Sequence, residues 1–293
     1  MNMKAHRRAR RMAALEAAEA SVPISFAIVG VQKGATTTLY RMLAKHPDVV
    51  RGPEPEMRFF IQRHDWSAPD YTSYRRPVIK GGHVAGDATP AYLFWPGALH
   101  RIRDYDPGMR LMAIFRDPVE RAFSQWAMER GRRPSYPDLP VAIEKYLDKP
   151  LPPEGSEHPS LRQLRRSLFA RSLYGEQLER ALPLFPAEQW RLFEFRAFLS
   201  DPHTQIDRAT DLLGLPRFDR YPRLPHRNPT PVVRGEPPSL AAFERLVRRY
   251  ADDLPVFERL SQIDTSAWPT RQVLDGTLEL EAFHARICAK LDR

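Results

Sequence analysis

Short runs of consecutive apolar residues alternate along this chain with segments whose apolar positions recur at helical spacing. The first run, Ile24–Val31, is rich in β-branched residues and Phe, as a buried strand should be. A small polar turn follows, and Leu39, Leu43 and Ala44 then mark one face of an amphipathic helix. His46-Pro47-Asp48-Val49 closes that helix, with histidine in the last turn ahead of proline. Leu111–Phe115 reads as a second fully buried strand. After it, Pro118 suits the first turn of a helix and Asp117 its N-cap. Glu188–Phe195 reads as a further strand, and Ser200–Leu213 as a helix capped by Ser200 or Asp201 and stopped by Gly214. Strands alternating with helices predict an α/β fold whose central sheet is mainly parallel and flanked by helices. A length of 293 residues suffices for one large core, so a single domain is expected.

The chemistry concentrates where the first strand meets its helix, at Gln32-Lys33-Gly34-Ala35-Thr36-Thr37-Thr38. A strand that turns directly into a helix presents bare backbone N–H groups and the positive end of the helix dipole, which together bind phosphate. Lys33 adds a cation, and Thr36 and Thr37 add hydroxyls at the first helical turn. The nucleoside-triphosphate loop reads G-x-x-x-x-G-K-[ST]. Here Lys33 precedes Gly34, and Thr36 occupies the place of the Walker lysine, so the anion site survives without the lysine and magnesium arrangement of an ATPase. The fold expected is therefore a single P-loop-like domain.

This variant resembles the 5′-phosphosulfate loop of sulfotransferases that use 3′-phosphoadenosine-5′-phosphosulfate (PAPS), in particular the carbohydrate or heparan-sulfate-type branch and its bacterial relatives. By that resemblance Lys33, Gly34, Ala35, Thr36, Thr37 and Thr38 cradle the donor. Arg116 and Ser124, in Arg116–Trp126, are similarly placed to the pair that clamps the donor's 3′-phosphate. An arginine fork and a hydroxyl suit phosphate oxygens. Arg227, in Pro225–Thr230, falls at the family's donor-covering loop. Glu56-Met57-Arg58-Phe59-Phe60 resembles the Glu-x-x-Phe-Phe segment whose glutamate is the general base. Gly86–Tyr92 resembles a segment lining the acceptor cleft. The resemblance thus implies Glu56 and Lys33 as catalytic residues, and Arg58, Asp87 and Tyr92 as acceptor contacts. Two departures stand out: Ala88 where animal enzymes carry lysine, and Ala35 where most relatives carry glycine. The reaction implied is in-line transfer of a sulfuryl group to a hydroxyl of a sugar, lipid or other small acceptor, with PAPS as co-substrate and no metal. His83 is the rival base.

Composition narrows this picture without deciding it. A formal charge of +9 and a pI near 9.8 suit an anionic donor. No aromatic-basic interleaving of an RNA-binding kind appears, so nucleic acid is not expected as a partner. No run approaches the ~18 apolar residues of a membrane span. Cys288 is the sole cysteine, which excludes an intramolecular disulfide and agrees with a cytoplasmic location. The nine histidines are scattered, with no H-x-x-x-H pair, so His46, His83, His100 and His226 read as structural or surface residues. Residues 1–22 form a basic arm without the apolar core of a secretory signal. Residues 132–160, with seven prolines, read as a loop on the acceptor side, too proline-rich for a continuous helix. Residues 270–293 read as a C-terminal helix, packed or dimerising, which leaves a homodimer open. The sulfotransferase domain then spans 23–269. Two other classes compete: a P-loop kinase or NTPase with a divergent loop, and a non-catalytic basic binding protein of the same fold. Lys33's early position weighs against the first, and Glu56 together with Lys33 against the second.

Overall fold

The computed structural model describes residues 21–52, 54–78, 82–156, 158–224 and 233–292. The apolar run at 24–31 becomes the central strand β1 (Ser21–Gly30), and the predicted helix after it is α1 (Thr36–Leu43). There follow β2 (Val49–Val50), β3 (Arg75–Pro77), β4 (Val84–Asp87), α2 (Ala98–Tyr105), β5 (Arg110–Phe115) and α3 (Pro118–Arg132). Next come α4 (Leu139–Tyr146), α5 (Leu161–Arg166), α6 (Tyr174–Ala181), β6 (Trp190–Glu194), α7 (Phe195–Ser200) and α8 (Pro202–Leu213). The chain ends with β7 (Val233–Arg234), α9 (Leu240–Arg248), α10 (Asp253–Ser261), α11 (Pro269–Leu274), α12 (Leu280–Cys288) and β8 (Leu291–Asp292).

The sheet runs β2-β4-β1-β5-β6, all parallel, with β3 added antiparallel to the start of β1. Alternate side chains of each strand serve opposite faces. Phe26, Ile28, Met112 and Ile114 pack with Leu39 and Leu43 of α1 and with Ile206 and Ala209 of α8. Ala27, Val29, Leu111, Ala113 and Phe115 belong to the larger core with Ile102, Val119, Leu178 and Phe257. Being covered on both sides is what makes these strands read as unbroken apolar runs.

Strand order positions the site. From β1 the chain passes to the β4–β2 side of the sheet, whereas from β5 it passes to β6 on the other side. The carboxyl ends of β1 and β5 therefore flank a topological switch point, where open α/β sheets hold ligands.

The capping expectations agree with the structure. Asp117 accepts from Glu120 N–H (2.9 Å) at the start of α3, and Asp201 from Thr204 N–H (3.2 Å) at the start of α8. Gly214 stops α8 with a φ of 65°. Three expectations need correction. The 132–160 stretch contains a helix, α4, because Pro140 falls in its first turn, where a missing N–H costs nothing. The 270–293 tail forms two helices and a short strand, and its Phe283 and Ile287 are buried in this chain's own core. Helix α1 ends at Leu43, before His46. His46 Nδ1 accepts from Asp48 N–H (3.2 Å), so Nε2 carries the proton donated to the Pro216 carbonyl (2.9 Å). The basic arm and Arg227 lie outside the described residues.

Candidate active site

The turn after β1 is fixed by its backbone. Val31 N–H donates to the Ile114 carbonyl of β5 (3.1 Å), and Gly34 N–H donates to the Val31 carbonyl (2.9 Å). A Cβ on Gly34 would lie 2.3 Å from the Ile114 oxygen, so only glycine fits. Lys33 and Ala35 take left-handed backbone conformations, with φ of 71° and 74°. Ala35 is the N-cap of α1 and carries no side-chain oxygen, so no side chain of its own covers the amides of the first turn. Thr36 is buried there, with Thr37 and Thr38 half-buried beside it. The result is a concave set of N–H donors at a positive helix end.

Cations converge on this turn. Burial, followed by the nearby charges of Arg116, Arg132 and Arg121, lowers the Lys33 ammonium below its ordinary pKa. Arg116 leaves β5 with its guanidinium 4.7 Å from the Phe195 ring centre. Its Nε, buried, meets the buried Glu120 at 3.5 Å as an ion pair, with no hydrogen-bond partner among the described residues. Ser124, two turns along α3, is also buried. Glu120 additionally pairs with Arg196 (3.6 Å) and Arg286 (3.3 Å). So much positive charge, held by few carboxylates, suits an anion with phosphates at more than one position.

Sequence reasoning missed two arginines here. Arg121 is fully buried, donating to Gln125 Oε1 (2.7 Å), Ser172 Oγ (2.5 Å) and the Leu168 carbonyl. Arg171 donates to Gln32 Oε1 (2.6 Å) and Ser167 Oγ (2.8 Å), and stacks 4.8 Å from the Phe94 ring centre. Burial and Arg121 bring the Arg171 pKa down to about 9. No motif signals Arg171, because it reaches Gln32 from 139 positions away.

Glu56 and Arg58 form a two-residue clasp. Arg58 Nε and Nη2 donate to Glu56 Oε2 at 3.0 and 2.8 Å, with the carboxylate 35% exposed. Arg58 takes a left-handed conformation, φ 59°, which turns its side chain back on Glu56. Phe59 and Phe60 anchor the segment among Trp66, Tyr74 and Tyr92.

Asp87 and Tyr92 do not line a cleft, contrary to expectation. Both are 0% exposed. Asp87 accepts from Met57 N–H (3.0 Å), Thr89 Oγ1 (2.7 Å), Tyr74 OH (3.1 Å) and Tyr92 OH (2.6 Å). Burial pushes its carboxyl pKa up, while the donors from Met57, Tyr92 and Thr89 pull it back. Thr89 Oγ1 accepts from Arg58 N–H (3.0 Å), and the Pro55 carbonyl accepts from Ala88 N–H (2.8 Å) and Arg76 Nη2 (3.2 Å). Asp87, Thr89, Ala88 and Arg76 thus hold the backbone on both sides of Glu56. They are positioning residues with no face left for an acceptor.

The rival base, His83, is exposed just before β4 and four residues ahead of Asp87. At about 3.3 Å per residue it lies roughly 13 Å back from the strand's carboxyl end. Among the described residues no group of three His, Cys, Asp or Glu side chains is placed to hold a metal.

A parallel sheet whose first strand ends in a phosphate-binding turn, with a cationic switch-point crevice beside it, defines a P-loop-like group-transfer fold. No protein-family model matches the chain. It is 30% identical over 191 residues to the heparan sulfate glucosamine 3-O-sulfotransferase 6 of Mus musculus, covering 65% of this chain and 52% of that protein. The human heparan sulfate glucosamine 3-O-sulfotransferase 3B1 is also 30% identical over 191 residues, with 65% and 46% covered. The chain spans about half the length of these curated relatives. A sulfotransferase from Alicyclobacillus acidocaldarius superposes with a TM-score of 0.67 at 26% identity, over 84% of this chain and 99% of that one. The chain is thus similar to heparan sulfate 3-O-sulfotransferases over 191 residues and to a bacterial sulfotransferase over 84% of its length.

Proposed function

We propose that this protein is a PAPS-dependent O-sulfotransferase acting on a hydroxylated acceptor. One observation carries the reading: the backbone cradle at Val31–Ala35, whose lysine is desolvated among three arginines. That arrangement suits a nucleotide phosphorylated at both 5′ and 3′ positions, and PAPS when bound supplies the sulfuryl group. The amides after Ala35 and the Lys33 ammonium face the 5′ phosphate and neutralise charge growing on the bridging oxygen. Arg116 and Ser124 take the 3′-phosphate. Glu56 accepts the acceptor's hydroxyl proton as the new S–O bond forms opposite the breaking one. Because Arg58 holds the Glu56 carboxylate in the free protein, the acceptor must compete for that oxygen. The products are a sulfate ester, 3′-phosphoadenosine-5′-phosphate and a proton left on Glu56. Arg58 has its guanidinium half-exposed beside the base, and contacts the acceptor in this reading.

Thermal unfolding tests the donor assignment. A saturating concentration of 3′-phosphoadenosine-5′-phosphate should raise Tm by several degrees, and Mg·ATP far less. Equal stabilisation by Mg·ATP would support the kinase alternative instead.

A further inference from the structure

Beside the donor turn lies a cleft of about 510 Å³ between the turn after β4, the segment after α4, and α5. Two of its lining residues, Phe94 and Ser167, touch Arg171, and Arg171 holds Gln32 next to Lys33. One buried residue, Arg171, thus connects the cleft to the donor turn. Half of its twelve lining residues are apolar, among them Phe94, Trp95 and Leu151. Three are cations, Lys149, Arg162 and Arg166, and none is acidic. The indole Nε1–H of Trp95 is buried with no acceptor among the described residues.

We propose that this cleft is the acceptor site and that it selects a molecule with an apolar body carrying a single anionic group. The inference rests on the sulfuryl-transfer reading and narrows its substrate class. A heavily charged saccharide would have to shed water against the apolar half of this wall, which is unfavourable. An aliphatic or ring-bearing body recovers the apolar contact instead. Arg162 and Arg166 stand one helical turn apart on α5 and present two cations to one acidic group, which also matches the chain's basic balance. The volume fits a compact ligand of ordinary small-molecule size.

The test is equilibrium binding by calorimetry with saturating 3′-phosphoadenosine-5′-phosphate, using sodium octanoate, octan-1-ol and a heparin-derived tetrasaccharide as probes. Octanoate should bind saturably and at least ten-fold tighter than octan-1-ol, with the tetrasaccharide weakest at this site. Arg162→Glu reverses an exposed charge and should weaken octanoate at least ten-fold, while Arg162→Lys restores it. Neither change should alter the Tm rise given by 3′-phosphoadenosine-5′-phosphate. Leu151→Asp should abolish octanoate binding, with the same Tm rise as the check that it still folds. Octanoate binding that ignores Arg162→Glu, or a tetrasaccharide that displaces octanoate, overturns the proposal. A normal nucleotide shift without octanoate binding overturns the acceptor class alone. No nucleotide shift at all overturns the donor reading beneath it.

Discussion

On the donor side, the phosphate-binding turn and Arg116 follow strand ends directly, and Ser124 lies on the helix after β5. The 31–35 turn hangs from β1 and is pinned to β5 by the Val31–Ile114 bond, and Arg116 follows β5 directly. The acceptor side is assembled differently. Its cleft joins residues 94–95, 149–156 and 162–167, from three segments that share no strand. Glu56 belongs to a third segment, held by Asp87 and Thr89 and clasped by Arg58. The difference teaches that phosphate binding uses geometry any strand-to-helix junction can supply, whereas choosing an acceptor needs surfaces that meet only in the folded chain.

The largest effects should come from the pair that straddles this divide. Glu56→Gln should lower turnover about 10²–10⁴-fold and leave nucleotide affinity nearly intact, as loss of a general base does. Lys33→Ala should lower turnover roughly 10²–10³-fold and weaken nucleotide binding as well. Steady-state kinetics paired with nucleotide titration separates the two. If Glu56→Gln weakened the nucleotide as much as Lys33→Ala, the boundary between donor and acceptor machinery would be misdrawn.

Asp87→Ala should come next. It strands four buried donors and should destabilise the fold by about 3–5 kcal/mol, as truncating one partner of a buried polar cluster does. Asp87→Asn keeps an acceptor oxygen and should fold, with kcat reduced more than KM because Glu56 is left less well held. A variant altered only in KM would return Asp87 to the acceptor cleft.

A pH titration probes the rigidity of the donor side. Asp117 caps α3 and accepts from Thr270 N–H (2.8 Å) and Oγ1 (3.0 Å). Burial and the neighbouring Glu120 push its carboxyl up to about 6, from an ordinary 3.8. Between those values the native state binds more protons than the unfolded chain, so this residue favours folding below about pH 4 and loses that contribution as pH rises through 6. Wild type should therefore gain roughly 2–3 kcal/mol over Asp117→Asn between pH 7 and pH 4. Denaturant midpoints across that range measure it, and a constant gap would refute the shifted titration.

The smallest effect concerns Ala35. Its left-handed φ of 74° costs an alanine about 1 kcal/mol that a glycine escapes, so Ala35→Gly should raise stability by about that amount. Nucleotide affinity should stay within a few-fold. A large loss of affinity would mean that the methyl group shapes the phosphate cradle.

The two junctions were legible in the sequence because their signals are local. An apolar run, a Lys-Gly turn and an Asp-Pro cap each act within a few residues of themselves. Asp87 and Tyr92 were misread because a sequence segment shows which residues accompany each other and not which way they face. Seven prolines in 132–160 argued for an acceptor-side loop and against a continuous helix, yet Pro140 opens the short helix α4, since proline is disfavoured inside a helix and welcome in its first turn.

The sequence by itself determined the strand-to-helix alternation, the phosphate-binding turn and the cations nearest to it, because these follow from periodicity, backbone freedom and charge within short spans. Tertiary structure alone decided that Arg171 buttresses the donor turn through Gln32 and that Asp87 spends all its acceptor capacity inside the core. It also decided that the cleft is half apolar and lined by no acid. Burial, pairing and shape arise between residues tens of positions apart, and their energies exist only once the chain has closed the distance.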